Sequence, residues 1–377
     1  MQFLKRTLSL FGQSGPMRPG VGLVSGGIAL ALALLCLLGV LAFHFPEYLT
    51  TPELRRQYPV DLLRQLLLAS LLVAGGLALA NLLLGRTRWL SATALLVVLA
   101  TTALGGSRVP VGEFPDGTPY IGLDWFVLDL LGSALVFVLI EKAFPLYRQQ
   151  PVFRAGWQTD FAHFAVNHFI IGLMLLAVNF LVHRFFAWAA YAPLQQAIQA
   201  LPFVLELLLI VLVADLIQYA LHRAYHSVPL LWRFHAVHHS TPVLDWLAGS
   251  RLHMLETLAT RVGILGAIYV LGFSKGVMDG YIIIAGFQAV LNHANVRLPW
   301  GPLRYVIVTP DFHHWHHSSD RAALDRNYAV HFAFIDYLFG TAARTRGLPE
   351  RYGVLGEEMP DGFLGQQLHP FRPRKKP

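Results

Sequence analysis

This chain predicts an all-α fold, a polytopic membrane helical bundle with a cytoplasmic histidine-rich cap. Three observations predict it. Of 377 residues, 55% are hydrophobic and only 14% are charged, the composition of an integral membrane protein. Apolar runs long enough to cross a bilayer recur along the chain. And 11 of the 17 histidines fall between Leu221 and His317, a density that a structural core does not require.

The elements follow in order. Met1 to Gly20 carries Lys5, Arg6 and Arg18 and no acidic residue. It resembles the charged start of a signal peptide, but the apolar stretch Val24 to Phe45 is long enough to span and more spans follow, so it reads as a retained first helix. Further spans are expected at Leu62 to Leu84, Trp89 to Leu104, Ile121 to Ala143, Phe169 to Ala189 and Pro202 to Leu221. Val262 to Phe273 is too short to span alone. With Val277 to Leu291 it reads as a hairpin broken near Gly272 to Gly276. Basic residues in the N-terminal segment, at Arg86 and Arg88, and at Lys142, Arg148 and Arg154 outweigh Arg55, Arg56, Arg108 and Arg184 on the opposite loops. That asymmetry places the former in the cytoplasm, and six spans bring the chain back there at His222. The expected location is a multi-pass protein of a bacterial inner membrane with its histidines on the cytoplasmic side. The expected organisation is N-terminal transmembrane helices over residues 1–150, a histidine-bearing domain over 151–345, and a cytoplasmic tail over 346–377.

The single cysteine, Cys36, excludes a disulfide framework and a cysteine-ligated cluster. The formal net charge of +7 flanks apolar spans, which suits anionic headgroups and argues against nucleic-acid binding.

The histidines fall into spaced sets: His222 and His226; His235, His238 and His239; and His313, His316 and His317. Residues three and four apart share a helix face, so each set is expected to converge on one point. Imidazole suits zinc, copper, iron and nickel, and eight or more such ligands exceed one tetrahedral ion. Two metals are expected. Asp215 precedes His222 on the same face and is expected behind the ligands, accepting a hydrogen bond from one imidazole. Glu256, one turn from His253, is expected in the same supporting position. His253 joins the ligand set, with a hydrogen-bonding role behind the ligands or a helix cap as alternatives. His314 points off its cluster's face and reads as a substrate headgroup contact or as surface.

This order of motifs resembles the fatty acid hydroxylase / sterol desaturase superfamily. The resemblance rests on His222-x3-His226, on Trp232-Arg-Phe-His-Ala-Val-His-His-Ser240, and on Asp245-Trp-Leu-Ala-Gly-Ser-Arg-Leu-His253. It extends through Thr309-Pro-Asp-Phe-His-His-Trp-His-His-Ser-Ser-Asp320, Asn327-Tyr328 and Asp336-Tyr-Leu-Phe-Gly-Thr341. It covers about Asp215 to Thr341. It implies a membrane-embedded oxidoreductase with two Fe ions (a di-iron centre) that uses O2 to hydroxylate or desaturate a fatty acyl, sterol or related lipid. It adds His293 to the ligands, since members place a metal-binding histidine between the second and third clusters. Some members carry a further ligand four residues later; here that position is Arg297, and the carry-over stops there. Such reactions need two external electrons. The chain has no haem-binding word, dinucleotide fingerprint or cysteine cluster, so a separate electron donor (reductase, ferredoxin or cytochrome) is implied. The alternative from another class is a histidine-rich membrane metal-binding or metal-transport protein. Transport sites lie near the membrane midplane, whereas these clusters follow the ends of spans.

Overall fold

The computed structural model describes residues 22–50, 59–85, 88–112, 123–343, 345 and 347–372. The basic N-terminal segment, Arg55, Arg56, Arg86 and the last five residues lie outside them. The described residues are helical, with no strand beyond two isolated bridges. They form two compact units: Met1–Ala143 with Arg148–Val152, and Phe144–Tyr147 with Phe153–Pro377.

The first unit contains α1 (Leu23–His44), α2 (Val60–Leu84), α3 (Trp89–Ala103) and α4 (Leu123–Ala143). Small residues let α1, α2 and α3 approach closely: Ala29, Ala33, Ala78 and Ala94 are all fully buried. A Cβ added at Gly26 would sit 3.0 Å from Leu90 Cβ. Small residues play this part where lipid removes the hydrophobic drive for association. Buried Asn81 clasps the same helices, donating to the Gly22 carbonyl (2.9 Å) and Ser91 Oγ (2.6 Å). The outward residues are large and apolar. Leu72, Leu83, Leu84 and Leu96 are 67–83% exposed, a surface suited to hydrocarbon rather than water.

The second unit begins with α5 (Trp157–Phe169) and α6 (Ile171–Phe186). The long helix α7 (Phe203–Ser227) follows, then α8 (Pro229–His239), which starts on a proline whose fixed φ suits the first turn. After a loop come α9 (Met254–Leu271), α10 (Lys275–His293), α11 (Pro310–His316), α12 (Ala333–Leu338) and α13 (Phe363–Leu368). Ile210, Val211 and Ala214 of α7 form a core with Ile268 of α9, with Phe273 just after it, and with Val277 and Tyr281 of α10. The α9–α10 hairpin turns at Gly272, whose φ of +67° is the left-handed region that glycine adopts cheaply. Glu206 pins the turn, accepting from Ser274 N (2.6 Å) and Ser274 Oγ (2.8 Å).

Among the described residues, five helices are long and apolar enough to cross a membrane: Leu23–His44, Val60–Leu84, Trp89–Arg108, Phe203–Ser227 and Met254–Leu271. The chain is an all-α, multi-pass membrane protein. Two expectations change in detail. The hairpin's first arm is long enough to span by itself, because Met254–Arg261 joins the helix. The stretch expected as the fifth span belongs to a bent pair, Trp157–Phe169 with Met174–Ala189, kinked by 61°. The expected fourth span is present as the helix α4, Leu123–Ala143.

The segment expected as a tail is also corrected in part. Gln367 donates to the Leu252 carbonyl (2.9 Å) and accepts from Met254 N (3.0 Å). The Pro349 carbonyl accepts from Tyr147 (2.6 Å). Residues 349–367 are therefore an integral part of the second unit.

Candidate metal centre

Two groups of imidazoles occupy the interior of the second unit. His222, His226, His235, His239 and His316 form one; His238, His293, His313 and His317 form the other. Within each group the donor nitrogens all lie within 4.8 Å of one another. The groups adjoin: the His239 and His317 rings stack at 4.5 Å, and His316 and His317 meet at 5.1 Å.

The membership corrects the expectation that each motif converges on one point. Each H-x2-H-H motif is divided. His235 and His239 enter the first group and His238 the second; His313 and His317 enter the second and His316 the first. Helical rotation accounts for this. At about 100° per residue, positions four apart differ by about 40°, whereas the intervening i+3 position lies about 60° to the other side. Side chains that share a broad face still aim at different points when two targets sit side by side.

Six of the nine rings are oriented from behind, whereas Nδ1 of His313 and of His317 is buried with no hydrogen-bond partner among the described residues. A carbonyl oxygen can only accept, so an Nδ1 that meets one carries the proton. His222 Nδ1 meets the Tyr328 carbonyl at 2.7 Å and His316 Nδ1 the Arg326 carbonyl at 2.8 Å. His238 Nδ1 meets the Arg251 carbonyl at 3.1 Å and His293 Nδ1 the Ala289 carbonyl at 2.8 Å. His235 Nδ1 donates to Glu256 Oε1 at 2.7 Å, and His226 Nδ1 pairs with Asp325 Oδ1 at 3.1 Å. In a neutral ring the Nε2 then presents a bare lone pair. Burial, reinforced by neighbouring imidazoles, pushes His235, His238, His239, His313, His316 and His317 well below the usual histidine range, so the rings are neutral.

The residues therefore fit a metal. His238 and His293 aim their Nε2 lone pairs at each other across 3.2 Å, and His222 and His235 theirs across 3.1 Å. Nε2 of His226 and of His316 are buried without a protein partner. Lone pairs crowded this way repel unless a cation lies among them. A donor set made of imidazole nitrogens suits iron, zinc, copper or nickel rather than magnesium or calcium.

Residues whose role the motifs did not disclose do the orienting. The loop 325–332 supplies the Tyr328 and Arg326 carbonyls, and two carboxylates hold it. Asp336 accepts from Tyr328 N and Ala329 N, both at 2.8 Å. Asp215 accepts from Val330 N (2.8 Å), His331 N (3.1 Å) and Phe332 N (2.6 Å). Asp215 thus acts on the backbone and not, as expected, on an imidazole. Asn327 takes a φ of +60°, where asparagine is among the tolerated residues, and donates to the Phe312 carbonyl at 2.8 Å. Behind His238, a buried ion network fixes Arg251. Arg251 Nε meets Asp160 at 2.5 Å, while Arg154 bridges Asp160 (2.5 Å) and Asp245 (2.7 Å). The words containing Asp245, Asn327 and Asp336 were visible in the sequence, but their partners lie up to 91 residues away.

Three further expectations are resolved. Glu256 lies behind His235. His253 enters neither group: its Nδ1 accepts from Leu255 N (3.1 Å), capping α9, and its Nε2 meets the Gln367 carbonyl (2.9 Å). His314 is not surface. It is fully buried, with Nε2 at 3.1 Å from the Ala294 carbonyl and Nδ1 at 2.7 Å from Tyr352 Oη.

The fatty acid hydroxylase family model matches residues 207–341. Ornithine lipid hydroxylase OlsE of Rhizobium tropici is 34% identical over 45% of this chain and 51% of its own length. A very-long-chain aldehyde decarbonylase of Oryza sativa is 30% identical over 39% of this chain and 25% of its own. Alkylglycerol monooxygenase of Caenorhabditis elegans is 24% identical over 41% and 30%. The match spans about half or less of each relative. No solved structure matches the chain. The loop carbonyls and carboxylates that orient the imidazoles fall within or beside the matched segment, and residues 207–341 belong to the fatty acid hydroxylase / sterol desaturase superfamily.

Proposed function

We propose that this protein is a membrane-bound di-iron oxidoreductase that uses O2 to hydroxylate or desaturate a C–H bond of a lipid. The observation that carries the reading is the pair of adjoining imidazole groups with their lone pairs turned inward. His222, His226, His235, His239 and His316 would hold one iron, and His238, His293, His313 and His317 the other. Bound iron supplies the O2 chemistry that no side chain can perform alone.

The chain's own residues set the conditions. Carbonyls of Tyr328, Arg326, Arg251 and Ala289 hold the Nδ1 protons and so present Nε2 to the metal. Glu256 accepts the His235 proton and raises that imidazole's basicity as a ligand. Burial of the rings excludes water from the oxidising site. A fatty acyl, sterol or related chain would reach it from the bilayer.

The reaction balances in either form. Hydroxylation takes O2, two electrons and two protons, places one oxygen in the C–H bond and releases one water. Desaturation takes the same inputs, removes two hydrogens and releases two waters. The electrons would come from a separate reductase, ferredoxin or cytochrome. Ligands locked from behind suit a resident metal better than one in transit, which favours the enzyme over a transporter.

The test is lipid mass spectrometry of cells with and without the gene, grown under 18O2. A lipid that gains labelled oxygen, or loses two hydrogens, only when the gene is present supports the reading. Identical lipid profiles, with metal flux into protein-containing vesicles, would replace it with transport.

A further inference from the structure

Between the end of α10 and the start of α11 the chain forms a cleft of about 460 Å³, lined by Arg297, Leu298, Pro299, Trp300, Arg304 and Asp311. It lies between the segments that carry the second imidazole group: Arg297 is four residues past His293, and Asp311 two before His313. Arg297 is exposed, and its guanidinium has no partner among the described residues. Trp300 Nε1 is buried with no hydrogen-bond acceptor. Arg304 lies over the Tyr305 ring, 4.9 Å from its centroid, and donates to its hydroxyl at 2.9 Å. Asp311 Oδ1 accepts from Thr309 Oγ1 at 2.7 Å, and no ion pair joins Asp311 to either arginine among the described residues.

These groups define a ligand. Two guanidiniums and an unsatisfied indole N–H want an oxyanion with several acceptor atoms. A carboxylate left unpaired beside them wants a cation. Apolar side chains adjoin it: Leu303, Tyr305 and Val306 flank Arg304 in sequence and Tyr337 packs on Tyr305, all 46–47% exposed, a surface for acyl chains. We propose that the cleft binds the headgroup of a zwitterionic lipid. Its oxyanion sits on Arg297, Arg304 and the Trp300 N–H, its ammonium faces Asp311, and its chains lie along the adjoining apolar side chains. The cleft thereby fixes which carbon reaches the imidazole groups. This role rests on the lipid-oxidation reading of that centre; the binding does not.

The test is native mass spectrometry of the full chain in detergent, titrated with phosphatidylethanolamine, phosphatidylglycerol and diacylglycerol of identical acyl chains. Wild type is expected to bind phosphatidylethanolamine several-fold over phosphatidylglycerol and about tenfold or more over diacylglycerol, as charge-assisted bonds would give. Arg297→Gln/Arg304→Gln is expected to lose about tenfold for both phospholipids and nothing for diacylglycerol. Asp311→Asn should erase the preference for the ethanolamine headgroup, and Trp300→Phe should weaken both phospholipids. Metal content should stay at the wild-type level throughout. Wild-type affinity in the double arginine variant overturns the proposal, as does a wild-type preference for phosphatidylglycerol. Displacement of bound lipid by millimolar inorganic phosphate would mark a free-oxyanion site and overturn the lipid assignment. Failure here leaves lipid oxidation standing. Intact binding in a protein that oxidises no lipid sinks only the oxidation reading.

Discussion

His238 and His239 are neighbours in sequence and serve different groups. This division gives a sharp test at the scale of single residues. His238→Ala/His317→Ala removes two ligands from one group, whereas His316→Ala/His317→Ala removes one from each. By elemental analysis the first variant should keep about one of two iron equivalents, and the second should lose part of both. Equal losses in the two variants would return each motif to a single site. His314 gives a different prediction. Its ring is buried and bonded to backbone and tyrosine, not to a metal group. His314→Ala should lower stability by about 2 kcal/mol or more while retaining metal, read by thermal melting beside metal content. Acid should act through the same imidazoles. Burial holds six of them well below their ordinary value, so the unfolded chain binds more protons than the folded one below about pH 6.5. Stability of the metal-free protein is therefore full above that pH and falls as pH drops through it. A melting temperature flat from neutral pH to about pH 5 would contradict neutral buried rings.

At the scale of elements, the loop 325–332 is the part on which the centre depends. It has no helix or strand to hold it, and Asp215 and Asp336 substitute for one by gathering five backbone N–H groups. Asp215→Asn removes the charge and replaces one acceptor with a donor. The expected outcome is faster amide exchange at Val330, His331 and Phe332, a stability loss of about 1–3 kcal/mol, and weakened metal binding through His222 and His316. Unchanged exchange at those three amides would show that the loop is held by other contacts. The α9–α10 hairpin illustrates the opposite case. Its break at Gly272 and its apolar arms were legible, but the length of α9 was not, because Met254–Arg261 is too polar to extend an apolar window and becomes helical under the His253 cap.

For the whole molecule, the basic-loop asymmetry leads us to propose that the metal centre faces the cytoplasm. Single cysteines at Arg321 and Glu358, both exposed, should react with an impermeant maleimide only after spheroplasts are permeabilised. Labelling in intact spheroplasts would invert the topology.

The amino-acid sequence alone determined the membrane class, most of the apolar helices, the family and nine of the histidines that meet in the two groups. It did so because hydropathy and i, i+3, i+4 spacing are local properties, written within a few turns of chain. It placed His253 among the ligands, Asp215 against an imidazole and His314 at a substrate headgroup or on the surface. In each case the deciding partner is remote: Gln367 for His253, residues 330–332 for Asp215, Ala294 and Tyr352 for His314. Tertiary structure alone decided which imidazole serves which group, because that depends on where α7, α8, α10 and α11 meet. A rotation of about 100° between adjacent helical residues sends neighbours in sequence to different metals once two targets lie side by side.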